Sequence, residues 1–363
     1  MKSSYIIYPL SLSLIGLISS AFTSIDTISS DNPEQPQNDC LIAKKNRPVY
    51  EGFLLSADAL FWTASESGLS YATTTSSYNK VGKGEIKDPD FRWDYGFRVG
   101  AGFHIPHGGW DTCMNYTWFQ DTAKAHTRKD ASNFLLPNLI SANNIDNSIP
   151  YIESAHANWN LSLNILDLEL GKTLIPAKWV SFRPFIGTKT AWIHQKYKVK
   201  YSRVMAPFTA ARYYVNMKNN YWGMGPRIGL NTQFWMGYGL SVFGNLAASL
   251  IYGEFNLKHE ETADDLTVTD LSPHYYAGRA ITDVQLGLRW DSNVCKSKKA
   301  SVCKCSTAKS EKNFSITAGW EQHLFFSQGE FMSFTDSTNV GRFTQEHNDL
   351  SVQGATLSMR MDF

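Results

Sequence analysis

The chain has 363 residues and a formal net charge of +1, with 34 Lys and Arg against 33 Asp and Glu. That balance argues against broad electrostatic capture of nucleic acid, which needs a basic face to neutralise phosphates; the length admits two soluble domains or one large barrel. Aromatic residues make up 13% and charged residues only 18%, below the roughly 25% of soluble domains, which favours sheet and membrane interface.

Residues 1–21 carry one early cation, Lys2, then an apolar stretch that ends on Ser19, Ser20 and Ala21, the arrangement of a cleaved export signal. Residues 22–48, rich in Ser, Asp, Asn and Pro, read as a flexible periplasmic lead-in. Beyond the signal, no run approaches 18 uninterrupted apolar residues. A membrane-embedded mature chain therefore has to be a barrel, because only helices and closed barrels satisfy every backbone group in lipid.

Residues 49–363 are predicted to form an all-β transmembrane antiparallel β-barrel of about ten strands (8–12), near 52–64, 93–105, 110–121, 157–173, 180–198, 221–234, 238–257, 278–291, 312–325 and 350–363. In the second of these, Trp93, Tyr95, Phe97, Val99, Ala101 and Phe103 alternate with Asp94, Gly96, Arg98, Gly100, Gly102 and His104. The last alternates Ala355, Leu357, Met359, Met361 and Phe363 with Gly354, Thr356, Ser358, Arg360 and Asp362. Successive strand side chains point to opposite faces, so this period suits lipid on one side and a polar lumen on the other. In the fourth, Trp159, Leu161, Leu163 and Ile165 hold one phase and Leu166, Leu168 and Leu170 the other, a swap that a β-bulge near Ile165 would reconcile. Pro226, inside the sixth, requires a bulge or an interrupted ladder.

Tight turns at 106–109, 176–179 and 236–239 alternate with long polar connections at 65–92, 122–156, 199–220, 258–277 and 326–349. Outer-membrane barrels have short periplasmic turns and long outer loops, so both termini belong in the periplasm, and 292–311 is the one long connection on that side. Trp93, Trp110, Trp118, Trp159, Trp179, Trp192, Tyr221, Trp222, Trp235, Tyr252, Trp290 and Trp320 lie near strand ends, as interfacial girdles require.

The segment Phe53–Ala72, which holds Ala57-Asp-Ala-Leu-Phe-Trp62, and the run Trp93-Asp-Tyr-Gly-Phe-Arg-Val-Gly through Pro106-His107-Gly-Gly-Trp110-Asp111 to Trp118 resemble the pore-forming outer-membrane protein family related to the chlamydial major outer-membrane protein, also found in legionellae. The resemblance covers about the first third of the mature chain. It implies a signal-bearing outer-membrane pore for small hydrophilic solutes and brings no catalytic residues with it.

Candidate pore-lining residues on the polar phase are Asp94, Arg98, Asp111, Asp167, Glu169, Arg227, Asp283, Arg289, Glu321 and Arg360, with His104 and Asp362 beside them. Both signs are present, so the groups either set ion preference in a watered lumen or pair across a narrow barrel and close it. Eight strands enclose an interior just filled by side chains, while sixteen to eighteen leave a channel. The expected function is a porin-like channel for passive diffusion of small hydrophilic solutes or ions; the alternative is a closed structural or adhesin-type barrel whose outer loops bind host or envelope partners.

Cys40, Cys295, Cys303 and Cys305 would face the oxidising periplasm and are candidates for disulfides with one another or with envelope proteins, while Cys113 lies on the polar phase of a strand. No His accompanies them at a zinc-like spacing, so no metal and no cofactor is implied. His126, His156, Asp121, Asp130 and Asp146 cluster in or near one outer loop, but without a catalytic motif they read as solvated polar groups rather than an enzyme site. The partners expected are outer-membrane lipid, small hydrophilic solutes or ions, disulfide-linked envelope proteins and a second copy of the chain.

Overall fold

The computed structural model describes residues 52–76, 84–106, 108–130, 133–140, 151–204, 210–292, 313–333 and 344–363. Every regular element among them is a strand: β1 (Gly52–Glu66), β2 (Ala72–Thr75), β3 (Gly84–Lys87), β4 (Asp94–His104), β5 (Trp110–Arg128), β6 (Phe134–Pro137), β7 (Ser154–Lys172), β8 (Leu174–Ala177), β9 (Val180–Val204), β10 (Ala210–Gly237), β11 (Leu240–Ala263), β12 (Leu266–Leu271), β13 (His274–Asp291), β14 (Asn313–Ser333) and β15 (Thr344–Asp362). Strands β1, β4, β5, β7, β9, β10, β11, β13, β14 and β15 pair in that order, each antiparallel to the next. β15 returns to β1 from Leu54↔Asp362 to Glu66↔Leu350. The ring is closed, and it is the ten-stranded barrel that the alternation predicts. β2, β3 and β6 form a small separate sheet.

The outward phase carries a broad apolar band in which Ile186, Ile228 and Leu286 are 62%, 61% and 63% exposed. Monomeric soluble proteins do not leave an apolar surface of this extent in water, whereas lipid accommodates it. Trp110, Trp179 and Trp290 bound the band at the tight-turn end. Trp118, Trp192, Trp222 and Tyr252 bound it at the other. On β11 the outward residues from Leu240 to Tyr252 span about 41 Å of strand, or about 31 Å of height at a tilt of ~40°. That matches a hydrocarbon core of roughly 30 Å.

The strands continue well past the band. β9 has 25 residues and β10 has 28, whereas a tilted crossing takes about 9–11, so the end opposite the tight turns projects beyond the membrane. There the chemistry of the two faces inverts. On β7 the outward residues change from Leu170, Leu168 and Leu166 to Asn164, Ser162, Asn160 and Asn158, and Trp159, Leu161, Leu163 and Ile165 are buried inside. Pairing of β7 with β5 and β9 runs through Ile165 without a register shift. The bulge expected near Ile165 is therefore absent: the apolar phase changes because the medium outside changes from lipid to water.

The same projection corrects two further expectations. Much of the predicted loops 122–156, 199–220 and 258–277 is strand, and Trp159 and Tyr221, expected in the girdle, are fully buried in the interior. Pro226 keeps its place beside Thr188 of β9, while the β10–β11 ladder passes over Gly225 and Pro226 with its register unchanged. That is the interruption a missing N–H demands. At the turn after β10, Gly237, Tyr238 and Gly239 have φ of 107°, 53° and 82°, a region open to Gly at little cost and the reason glycines flank Tyr238.

Candidate functional site

At membrane depth the interior is lined by interlocked charges. Asp58 and Arg98 are direct cross-strand partners on β1 and β4, and the Arg98 guanidinium reaches Asp58 at 3.2 Å, Glu321 at 3.1 Å and the Thr117 hydroxyl at 3.0 Å. His323 stands between Asp283 (2.7 Å) and Glu321 (3.4 Å). Arg227 pairs with Asp283 and lies 3.4 Å from Glu169 and 3.8 Å from Asp167. Lys189, 1% exposed, bridges Asp167 at 3.1 Å and Asp283 at 3.3 Å. Arg183 joins Glu169 (3.1 Å) to Asp111, where its Nε donates at 2.9 and 3.0 Å. Direct ion pairs, joined through the imidazole of His323, thus make a continuous run of polar contacts from Asp111 to Asp58. Toward the tight turns, Arg360 and His104 meet on Asp362 at 2.7 and 3.1 Å, and Arg289 pairs with Asp291 at 2.8 Å.

Of the residues singled out from sequence, Arg98, Asp111, Asp167, Glu169, Arg227, Asp283 and Glu321 belong to this continuous network. Arg289 and Arg360 lie at the rim. Asp94 is apart from it, at the top of β4, accepting a hydrogen bond from the backbone N–H of Tyr95 at 2.8 Å. Asp58, Arg183, Lys189, His323 and Asp291 complete the lining and were not recognised beforehand. The available signal was cross-strand complementarity: Lys189 lies opposite Asp167, and Asp58 opposite Arg98.

Above the network the interior turns apolar. Trp62, Phe119, Trp159, Ile193, Tyr197, Tyr221, Phe255 and Phe325 are all buried in one cluster, with Trp62 and Phe119 at 5.4 Å and Tyr221 and Phe255 at 4.4 Å between ring centres. The segment after β1 folds onto this layer: Leu69, Tyr71 and Ala72 are buried in it. The hydroxyls of Tyr197 and Tyr201 donate to the carbonyls of Leu69 and Tyr71, the latter at 2.7 Å. Burial raises both phenols above their usual range. The Glu66 carboxyl, also held well above its usual range by burial, accepts a hydrogen bond from Gln195, while its other oxygen has no protein partner among the described residues. Asp121 accepts the backbone N–H of Ala64 at 2.7 Å and is raised by burial to about 6.

His126 and His156 stack at 3.8 Å on the outer wall, whereas Asp121 is buried on the inward face of β5 and Asp130 lies beyond its end. The structure does not bring these groups together, and Asp146 lies outside the described residues. So do Cys40, Cys295, Cys303 and Cys305, together with the leader and lead-in. Cys113 is a half-buried free thiol, 3.7 Å from Asp111 and 3.8 Å from Arg183.

A closed antiparallel ring, apolar toward lipid between two aromatic rows and charged within, is a transmembrane β-barrel of the outer-membrane type. The chain belongs to the family described as Legionella pneumophila major outer membrane protein precursor, whose profile matches residues 47–363. Among solved structures it is similar to the outer membrane protease OmpT of Escherichia coli, at 7% identity over 86% of this chain and 97% of that one, with a TM-score of 0.39. It is also similar to the Pseudomonas putida toluene transporter TodX (6% identity, 86% and 90% covered, TM-score 0.28) and to a Pseudomonas aeruginosa FadL homologue (8%, 86% and 90%, 0.24). Likenesses this distant carry no argument about activity. No curated protein matches the chain.

Proposed function

We propose that the protein is a narrow outer-membrane conduit for ions or small hydrophilic solutes, held closed at rest by the aromatic layer and the Leu69–Ala72 segment above it. The observation that carries this reading is the continuous run of charged side chains, linked through His323, from Asp111 to Asp58. Stability alone does not call for it, since buried ion pairs are on balance no better than well-packed apolar side chains of the same volume. This chain does fill its projecting interior with apolar side chains, yet at membrane depth it keeps charge of both signs, the chemistry of a watered or wettable route. The aromatic layer favours a second reading, a closed barrel whose outer surface binds host or envelope partners.

Single-channel recording separates the two. The protein without residues 1–21 is refolded into a planar bilayer beside Arg289→Glu, a change at the rim, and Tyr71→Ala, a change in the segment above the layer. Discrete conductance steps, a reversal potential shifted toward cations in Arg289→Glu and more frequent opening in Tyr71→Ala are expected. Folded, heat-modifiable barrels with no current in any of the three would replace the conduit with the closed reading.

A further inference from the structure

The outward face of the projecting wall carries an arrangement that neither barrel closure nor passage through the interior explains. Going up β9 from the aromatic row, the outward residues are Trp192, His194, Lys196, Lys198 and Lys200. Lys196 lies directly opposite Lys218 of β10, and Lys218 opposite Lys258 of β11, so three lysines form one row across three adjacent strands. One row higher, Lys198 is flanked by Asn158 and Asn216, and Lys124 lies opposite Asn158. Like charges directly opposite on one sheet face destabilise the pairing.

Lys258 has its own carboxylates, Glu260 at 3.1 Å and Asp270 at 3.8 Å. Among the described residues, no carboxylate lies within ion-pair distance of Lys124, Lys196, Lys198, Lys200 or Lys218; Glu260 feels Lys218 only at longer range, and the Tyr214 ring faces Lys200 at 5.6 Å. Lys198, and then Lys218, hold the Lys196 ammonium below its usual range. The upper rows open into a groove of about 770 Å³ lined by Lys124, Lys198, Lys200, His126, His156 and Asn158; Asp90 and Glu260 also border it, the latter engaged by Lys258.

Height selects the partner. The Lys196–Lys218 pair lies four residues above the Trp192–Trp222 pair, which is about 13 Å along the strand and about 10 Å in height. Aromatic rows mark the boundary between acyl chains and headgroups, so this row faces the headgroup layer of the outer leaflet. We propose that the outward lysines of β9 and β10 dock the phosphorylated headgroup of an outer-leaflet glycolipid, its acyl chains lying against the apolar band below and its phosphates crossing the Lys196–Lys218 row toward the groove. Bound phosphates neutralise the lysine repulsion that the bare wall carries.

The test uses the refolded barrel in nanodiscs of zwitterionic phospholipid, with bisphosphorylated lipid A, its fully dephosphorylated form, or inorganic phosphate at matched phosphate concentration. Expected are a rise of several degrees in Tm with bisphosphorylated lipid A alone, and at least a tenfold loss of its binding in Lys196→Gln/Lys198→Gln/Lys218→Gln. That variant should be no less heat-stable than wild type without the lipid, because it also removes the repulsion. Lys218→Gln alone gives a smaller loss and serves if the triple variant fails to fold; Lys172→Gln, at the tight-turn end, should bind as wild type. Equal stabilisation by the dephosphorylated lipid, equal stabilisation by inorganic phosphate, or undiminished binding in the lysine variants would each overturn the proposal.

Discussion

Placing an arginine at successive heights on the outward face of β11 tests the membrane position directly. Leu246 is 55% exposed and lies beside Leu230 and Val284 on the neighbouring strands. It is six residues from both Leu240 and Tyr252, the ends of the apolar stretch, hence about 20 Å along the strand and about 15 Å in height from each. That is the bilayer midplane, where Leu246→Arg should cost about 2–4 kcal/mol; 3 kcal/mol is roughly a 150-fold change in the folding equilibrium. Asn256→Arg, outward on the same strand and past Tyr252, should cost about 0–1 kcal/mol. Leu286→Arg on β13 should behave like Leu246→Arg. Reversible urea unfolding in lipid vesicles, followed by tryptophan fluorescence, supplies the numbers. Equal costs at Leu246 and Asn256, or less than about 1 kcal/mol at Leu246, would refute the placement of the apolar band.

Arg98→Met should cost about 3–5 kcal/mol, because it strands Asp58 and Glu321 in the interior; adding Asp58→Asn should recover part of that, and strict additivity in the unfolding free energies would speak against a shared network. Glu66→Gln should stabilise the protein at neutral and alkaline pH. The folded-state pKa of Glu66 is raised, so the stability it lends is full below the unfolded value of about 4.3 and is lost as pH rises through the raised folded value. Wild-type stability should therefore fall across that window more steeply than that of the variant, and parallel pH profiles would count against a buried, uncompensated carboxyl. Burial, with His126 and Lys200 nearby, lowers the pKa of His156. Its contribution to stability is accordingly lost as pH falls below the unfolded value of about 6.5, and NMR titration should show His156 retaining its neutral form below that pH.

The ring, its strand number and its lipid face were legible because lipid imposes a strict period of two, and β4, β13 and β15 obey it through their full membrane depth. The projecting wall was not, because there polar residues point outward and apolar residues inward, so β7 presents two opposed patterns in one strand. Without the level at which lipid gives way to water, that reversal at Ile165 and Leu166 resembles a bulge, and Lys200 and Lys218, in the predicted connection 199–220, resemble a loop. The interior was half legible. Arg98 and Asp283 stand in clean alternation, whereas Arg183 and Lys189 share their phase with Phe185, Gly187 and Ala191, and only the register beside β7 reveals their charge partners.

The closure between β1 and β15 also governs the order in which the molecule can be made. Its partners, such as Leu54 and Asp362, are separated by nearly the whole described chain, and contacts of such range are entropically costly and slow to form. Of the ten ring strands, the one that seals the wall is the last to be synthesised. Until it arrives, β1 and β14 each have an open edge that invites pairing with another chain. The Arg98–Glu321 ion pair also joins strands on either side of that unsealed seam. Loss of a few residues from β15 would therefore be expected to impair assembly far more than loss of the same number from an outer loop.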